Sequence, residues 1–250
     1  MPRFRHDNVE IAFLDEGEGE PIVLVHGFAS NAAVNWVHPG WFTFLKDAGR
    51  RVIALDNRGH GASTKLYDPA AYHSALMAGD LAALLDHLDL GRADVMGYSM
   101  GARIIAFLAL QNPQRLRSAI FGGLGSHLLD GIGVPDDVAE ALEAPSPAAV
   151  NDPRARMFRV FAEQTQSDLR ALAACARGSR QTLTPAQVAT IRVPALVALG
   201  SKDVIGGSAA ELAALLPAGQ ALEIPGRDHM TAVGDKVFKQ GVLTFLAGRP

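Results

Sequence analysis

A serine lies between two glycines in the stretch Gly-Tyr-Ser-Met-Gly, at residues 97–101. This stretch ends the apolar run "RADVMG" and begins the small, apolar and helix-like residues 100–111. A serine on a sharp turn between a strand and a helix is typical of a nucleophile elbow, which exposes the hydroxyl for attack on a carbonyl. Gly97 and Gly101 would let the strand and the helix pass closely, and the helix N-terminus would favour an oxyanion. An ordinary glycine turn is the alternative interpretation of the same five residues.

A serine hydroxyl is a weak nucleophile that needs a base, and the base needs an orienting carboxylate. Asp203 follows the predicted strand at residues 193–200, and His229 follows the one at residues 220–226. Because loops at the carboxyl ends of parallel strands meet at one edge of a sheet, we expect Ser99, Asp203 and His229 to converge. Their order along the chain is the one that this type of elbow uses. Taken singly, Asp203 also fits a helix N-cap and His229 an ordinary loop histidine.

Several acids and histidines compete for these roles. Asp228 adjoins His229, and a neighbour on the chain would struggle to reach round to the imidazole. Asp130 follows the strand-like run at residues 115–123 and is the alternative acid. The histidines in predicted helices or away from strand ends are expected to be structural or exposed: His60, His73, His87 and His127.

An oxyanion hole is predicted from the stretch "VLVHGFAS". His26 and Gly27 turn the chain after an apolar strand, which would aim the backbone N–H of Phe28 at the serine. Together with the N–H of Met100, the residue after the serine, it would receive the oxyanion. A glycine turn that only ends a strand is the alternative.

Strand-like and helix-like segments alternate along most of the chain. Predicted strands lie at residues 3–17, 21–25, 51–55, 92–97, 115–123, 193–200 and 220–226. Predicted helices lie at residues 40–49, 70–90, 100–111, 206–217 and 233–248. This alternation predicts a mostly parallel central sheet with helices on both faces, and the antiparallel N-terminal segment at one edge.

A helical insertion interrupts the alternation at residues 124–192, within a single domain of residues 1–250. Asp152 and Pro153 would begin one of its helices, and Ser167 would cap another. Met157, Phe158 and Phe161 share one helical face and are expected to seat this cap over the site. Several arginines of the insertion could bind a substrate carboxylate: Arg154, Arg156, Arg159, Arg170, Arg177 and Arg180. Its eight acidic residues favour a charge-balanced, solvated surface instead.

The composition narrows the class of protein. With 250 residues, 48% of them apolar and 20% charged, the chain can bury a core. A net charge of −3 offers no basic field for nucleic acid. The single cysteine, Cys175, cannot form an intrachain disulfide, and no stretch reaches transmembrane length. Because no signal-peptide pattern is present, we expect a soluble, cytoplasmic protein without a membrane partner.

The motifs "VHGF", "DNRGHGAS", "GYSMG", "GSKD" and "GRDHM", in this order, resemble the α/β-hydrolase superfamily over residues 21–246. Within it, the chain is similar to single-domain members with a helical cap, such as carboxylesterases, lactonases and C–C bond hydrolases. The resemblance implies an α/β-hydrolase fold and a serine triad. It also implies that Arg58 and the glycines of "DNRGHGAS" fix a turn near the site, so Asp56, Arg58 and His60 are not expected to be catalytic.

The predicted activity is that of a carboxylesterase-like serine hydrolase acting on a small-molecule ester. Ser99 is the nucleophile, His229 the base and Asp203 the orienting acid. No cofactor or metal is expected, because no phosphate-binding loop, dinucleotide fingerprint or metal-ligand spacing is present. A lactonase, thioesterase or C–C bond hydrolase would use the same triad, and a ligand receptor on this scaffold is the alternative from another class. The oligomeric state stays open, as does whether Trp36 and Trp41 line the acyl pocket or pack beneath a helix.

Overall fold

A computed structural model describes residues 1–131 and 137–249. Its described residues form an eight-stranded sheet with the order β1-β2-β4-β3-β5-β6-β7-β8. The strands are β1 Arg3–His6, β2 Val9–Glu16, β3 Glu20–Val25, β4 Arg50–Leu55, β5 Ala93–Tyr98, β6 Leu116–Gly122, β7 Ala195–Gly200 and β8 Gly219–Ile224. β2 pairs antiparallel with β1 and with β4, whereas every pair from β4 to β8 is parallel. The predicted mostly parallel sheet with an antiparallel N-terminal edge is thus confirmed.

Helices connect the parallel strands and follow the last one. They are α1 Trp41–Asp47, α2 Ser74–His87, α3 Met100–Gln111, α4 His127–Asp130, α5 Asp137–Glu143, α6 Pro153–Gln164, α7 Leu169–Gly178, α8 Pro185–Val188, α9 Ala209–Leu215 and α10 Lys236–Gly248. The helix predicted at residues 70–90 is divided. A 3₁₀ turn covers Pro69–Tyr72, and His73 then takes an extended ψ of 131° and caps α2 by accepting from the N–H of Ala75.

Two apolar cores cover the two faces of the sheet. Side chains of a strand alternate between its faces, so Val23 and Val25 of β3 lie in one core and Ile22 and Leu24 in the other. All four are buried, which explains why this strand is a continuous apolar run in the sequence. The two cores fix the positions of the parallel strands, and therefore of the loops that follow their carboxyl ends.

The stretch between β6 and β7 contains α4 to α8. Asp152 caps α6 as predicted, accepting from the N–H of Ala155 at 2.7 Å. The predicted Ser167 cap of α7 is wrong. Asp168 caps that helix, accepting from the N–H of Ala171 at 2.9 Å. The hydroxyl of Ser167 instead lies 2.9 Å from the hydroxyl of Thr165.

Residues 132–136 of the predicted insertion lie outside the described residues. Within the part of the chain that is described, no helix is both long enough and apolar enough to cross a membrane.

Candidate active site

Ser99 is held in a strained turn between β5 and α3. Its φ of 54° and ψ of −112° lie in a backbone region that residues other than glycine rarely adopt. Two glycines make this turn sterically possible. A Cβ on Gly97 would lie 2.3 Å from the backbone carbonyl of Gly101, and a Cβ on Gly101 would lie 2.0 Å from the carbonyl oxygen of Val25. The helix α3 therefore lies too close to β5 at Gly97, and to β3 at Gly101, for any other residue type at either position.

His229 contacts both Ser99 and Asp203. Its Nε2 lies 3.0 Å from Oγ of Ser99, and its Nδ1 lies 2.8 Å from Oδ2 of Asp203. The three residues follow β8, β5 and β7, so the parallel order of these strands brings them to one edge of the sheet. The arrangement matches the hydrogen-bond chain of nucleophile, base and orienting acid.

The carboxylate of Asp203 is fully buried and multiply hydrogen-bonded. Its Oδ1 accepts from the N–H groups of Ile205 at 2.8 Å and Gly206 at 3.0 Å, while its Oδ2 faces His229. Burial acts to raise the pKa of Asp203, but the hydrogen bonds from His229 and the two backbone groups outweigh it, so the pKa is lowered. The side chain is therefore an anion that can hold one tautomer of the imidazole.

Tyr98 supports His229 from below. Its hydroxyl donates to the backbone carbonyl of His229 at 2.7 Å, and the two rings lie 5.5 Å apart. Burial raises the pKa of Tyr98, which keeps the phenol protonated and able to donate.

Phe28 and Met100, the two residues predicted to supply the oxyanion hole, are neighbours of Ser99. The loop of Phe28 is adjacent, since a Cβ on Gly27 would lie 3.5 Å from Cβ of Ser99. Met100 is the first residue of α3, where backbone N–H groups have no partner within the helix. Within the described residues, neither N–H donates a hydrogen bond to the protein.

The two competing acids, Asp130 and Asp228, form no hydrogen bond with the imidazole of His229. Asp130 is exposed at the end of α4. Asp228 is exposed as well, and its Oδ1 accepts from the N–H and the hydroxyl of Thr231 at 2.9 Å and 2.7 Å. Neither carboxylate replaces Asp203 at Nδ1 of His229.

Three further histidines have structural partners. Nδ1 of His60 lies 3.0 Å from the carbonyl of Arg58, Nδ1 of His127 lies 2.7 Å from the carbonyl of Ile205, and His73 caps α2. His87 stacks on Phe4 at 5.5 Å.

The stretch "DNRGHGAS" forms a buried turn beside the site. Asp56 accepts from the N–H groups of Ala32 and Ala62, both at 2.8 Å. Arg58 forms two hydrogen bonds with Asp80, both at 2.7 Å. These contacts join separate segments of the chain, in agreement with a structural role for the turn.

A cavity of about 230 Å³ opens at Ser99 and His229. Its walls are mainly apolar: Gly27, Phe28, Ser30, Val34, Asn35, Pro39, Tyr98, Phe158, Phe161, Met230 and Val233. Phe158 and Phe161 reach it from α6, as the helical face predicted. Met157 of the same face is 37% exposed and lines a neighbouring surface groove.

Trp36 and Trp41 pack in the core and do not line this cavity. Both are fully buried, with ring centroids 6.1 Å apart. The indole N–H of Trp41 donates to the carbonyl of Val233 at 2.7 Å, so this tryptophan supports the cavity wall from behind. The structure therefore favours packing over direct contact with a ligand.

Sequence reasoning missed several residues of the site. Tyr98 stands directly before the serine, yet no local pattern links it to a carbonyl 131 residues away. Ser30 and Asn35 line the cavity from a stretch without a recognisable motif. Arg103 lies within a segment that is otherwise small and apolar, which is the one local signal that sets it apart. Among residues 1–131 and 137–249, no group of three or more His, Cys, Asp or Glu side chains is placed to hold a metal ion.

Comparison with known proteins identifies the family. A family model described as the alpha/beta hydrolase fold matches residues 20–187. BpoC of Mycobacterium tuberculosis H37Rv, whose name is that of a non-heme bromoperoxidase, is 31% identical over 89% of this chain and 91% of its own length. The non-heme chloroperoxidase CPO-A1 of Kitasatospora aureofaciens is 37% identical over 55% of this chain, and the match spans half of that protein. This chain belongs to the α/β-hydrolase family.

Solved structures agree with that assignment. The structure of Est816, an N-acyl homoserine lactone degrading enzyme, has a TM-score of 0.76 and is 25% identical. The alignment covers 97% of this chain and 99% of that chain.

Proposed function

We propose that this protein is a serine hydrolase that cleaves small carboxylic esters through an acyl-enzyme. The observation that carries the proposal is the continuous hydrogen-bond chain from Ser99 through His229 to Asp203, with distances of 3.0 and 2.8 Å. Such a chain turns a weak hydroxyl nucleophile into an effective one.

In the first half-reaction, Nε2 of His229 takes the proton of Ser99 while Oγ attacks the ester carbonyl carbon. The carbonyl oxygen gains the negative charge and is received by the N–H groups of Phe28 and Met100. Asp203 holds the proton of the imidazole on Nδ1 and stabilises the imidazolium. When the tetrahedral intermediate collapses, the C–O bond to the alcohol breaks and the imidazolium gives its proton to the leaving oxygen.

In the second half-reaction, water replaces the alcohol. His229 takes a proton from the water, whose oxygen attacks the acyl carbon, and the oxyanion again forms at Phe28 and Met100. Collapse of this intermediate returns the proton to Oγ of Ser99 and releases the carboxylic acid. The cycle uses one water and needs no group beyond those of the chain.

The apolar cavity supports a substrate with an apolar portion of modest size. Its volume of about 230 Å³ lies below the range of about 300–1,000 Å³ usual for drug-sized ligands. In this proposal α6 belongs to a cap formed by the helices between β6 and β7, and Phe158 and Phe161 of the cap limit the length of the bound chain.

Labelling with a fluorophosphonate tests the nucleophile. We expect modification of Ser99, no labelling of the Ser99→Ala variant, and unchanged labelling of Ser146→Ala, whose side chain makes no cap hydrogen bond at its short helix. An ester panel of increasing acyl length then measures kcat/KM. Rapid labelling of another serine, or an Ser99→Ala variant with wild-type ester turnover, would refute the proposal.

Lactone hydrolysis is the second candidate, and the likeness to Est816 favours it over thioester or C–C bond cleavage. The same groups would open a lactone, with the alkoxide remaining attached to the acyl group. Steady-state comparison of N-acyl homoserine lactones with aryl esters of the same acyl length decides between them. Assays for bromide and chloride peroxidation with hydrogen peroxide belong in the same panel, because two relatives carry those names. Tight ligand binding with negligible turnover of every substrate would instead indicate a receptor.

A further inference from the structure

A second, smaller pocket shares Ser99 and Phe28 with the main cavity. Its volume is about 40 Å³. Since one water needs about 10–15 Å³ of such space, the pocket holds about three to four atoms of that size, which is enough for a carboxylate group. A molecule bound at Ser99 can therefore extend into both spaces.

Arg103 lines this small pocket one helical turn after the serine, on α3. Its guanidinium is buried, with only 6% of the residue exposed. Nη1 donates to the carbonyl of Gln181 at 2.6 Å, and Nη2 donates to the carbonyl of His127 at 3.2 Å. Both acceptors are neutral, so these bonds satisfy donors without neutralising the charge.

Two further buried arginines have acidic partners. Arg58 pairs with Asp80 at 2.7 Å, and Arg159 pairs with Glu163 at 2.9 Å. For Arg103, no carboxylate of the described residues lies within ion-pair distance. A buried charge without a counter-ion is costly. Burial lowers the pKa of Arg103 to about 10, which still leaves the side chain cationic near neutral pH.

The other described groups of the pocket do not repel an anion. Arg180 is one of them, and its Nε is already engaged, since it donates to the carbonyl of Ala176 at 2.7 Å. No acidic residue is among the described groups that line the pocket, whose remaining walls are small or apolar: Met100, Gly123, Leu124, Gly131, Ser179 and Ile205.

We propose that Arg103 binds a carboxylate of the substrate in this pocket. The substrate is then an ester or lactone with a free carboxylate a few atoms from the carbonyl that Ser99 attacks, and with its apolar portion in the main cavity. This inference rests on the proposed function, because it places the scissile carbonyl at Ser99. It assigns Arg103 to substrate specificity and leaves the triad chemistry unchanged.

The test compares an acid with its neutral isostere. Monobenzyl esters of succinic, glutaric and adipic acid are each paired with the benzyl ester of the corresponding half-amide, and release of benzyl alcohol is measured. A charge-assisted hydrogen bond contributes about 1.5–3 kcal/mol, so we expect kcat/KM to favour the best acid over its amide by about 10-fold or more. In Arg103→Met that ratio should fall to about 1. Arg156→Met, an exposed arginine of α6 that lines neither pocket, should keep the wild-type ratio.

Equal losses on acid and amide in Arg103→Met would show that the residue only ties α3 to its neighbours, which would overturn the proposal. A wild-type protein that treats acid and amide alike would overturn it as well, even if the variant does not fold.

A binding measurement separates this inference from the proposed function. Dicarboxylates of the same three lengths should raise the Tm of Ser99→Ala protein, whereas the matching diamides should not. Stabilisation by a dicarboxylate in a protein that hydrolyses no ester would support the anion site and refute the esterase. Ester hydrolysis without a preference for the acid, and without stabilisation by dicarboxylates, would support the esterase and refute the anion site.

Discussion

The hydroxyl of Tyr98 donates to the backbone carbonyl of His229 at 2.7 Å, although 131 residues separate them along the chain. Tyr98 is the last residue of β5 and directly precedes Ser99. The same backbone segment thus holds the serine and fixes the loop that carries the imidazole. This contact helps to fix the distance between Nε2 of His229 and Oγ of Ser99, because both residues are held by the end of β5.

Replacing Tyr98 with phenylalanine removes that hydrogen bond and keeps the ring. We expect kcat for a small ester to fall by about 10-fold, since a shift of the imidazole by a fraction of an ångström weakens proton transfer. Tyr72→Phe is the matched control. The hydroxyl of Tyr72 donates to the carbonyl of Leu66 at 2.6 Å, and Tyr72 does not line the cavity. A similar loss of stability in both variants, with kcat lowered only by Tyr98→Phe, identifies Tyr98 as a positioning residue. Equal kcat values in the two variants would contradict that role.

Replacing Asp203 with asparagine removes the anion that holds the tautomer of His229. We expect kcat to fall by about 10⁴-fold, the loss seen when the same change is made in a serine protease triad. Asp228→Asn, in the adjacent exposed turn, should change kcat by less than about 3-fold. The measurement is steady-state ester hydrolysis, and a large loss in Asp130→Asn instead would move the acid role to α4.

Replacing Gly101 with alanine tests the close approach at the elbow. The added Cβ would lie 2.0 Å from the carbonyl oxygen of Val25, so the helix or the strand must shift. Overpacking of this kind costs about 1–3 kcal/mol, and we expect the free energy of unfolding in urea to fall by at least that much. Gly91→Ala is the control, because nothing lies within 4 Å of its added Cβ. If the two variants unfold at the same urea concentration, the strand and the helix do not approach each other this closely.

Two buried histidines predict acid sensitivity of the fold. His26 and His60 are fully buried, with ring centroids 5.1 Å apart. Burial lowers the pKa of His26 to about 4 and that of His60 to about 3, with repulsion between the two rings as a further cause for His60. Nε2 of His26 accepts from the N–H of Asn57 at 2.9 Å, which requires the neutral imidazole.

The sign of the effect follows from proton uptake. Below a pH of about 6.5 the unfolded chain protonates both histidines, whereas the folded chain protonates neither until the pH approaches about 4. The free energy of unfolding should therefore fall by up to about 2.7 kcal/mol for each pH unit between these values. Urea unfolding at pH 7.5, 6.0 and 5.0 measures the slope, and His38→Gln, at an exposed position, should keep it. A flat profile across this range would contradict the prediction.

Local patterns were sufficient for the architecture. Apolar runs, helical spacing and turn glycines are properties of neighbours on the chain, and they predicted the parallel sheet and the strand ends at which Ser99, Asp203 and His229 stand. Errors were local as well. Ser167 and Asp168 are both good N-cap residues one position apart, and only the path of the backbone selected Asp168.

Contacts between distant segments were decided by the tertiary structure alone. From the sequence, Trp36 and Trp41 could either pack in the core or line the cavity. Packing against Phe238 places Trp41 in the core. In the sequence, Arg103 is one more residue of an apolar helix. In the structure it is buried beside Ser99 and has no acidic partner among the described residues, which gives it a distinct electrostatic environment. A side chain's partners depend on which faces of separate elements meet in three dimensions. The order of residues thus determined which strands and helices form, and the packing around Ser99 decided the shape and the lining of the pocket.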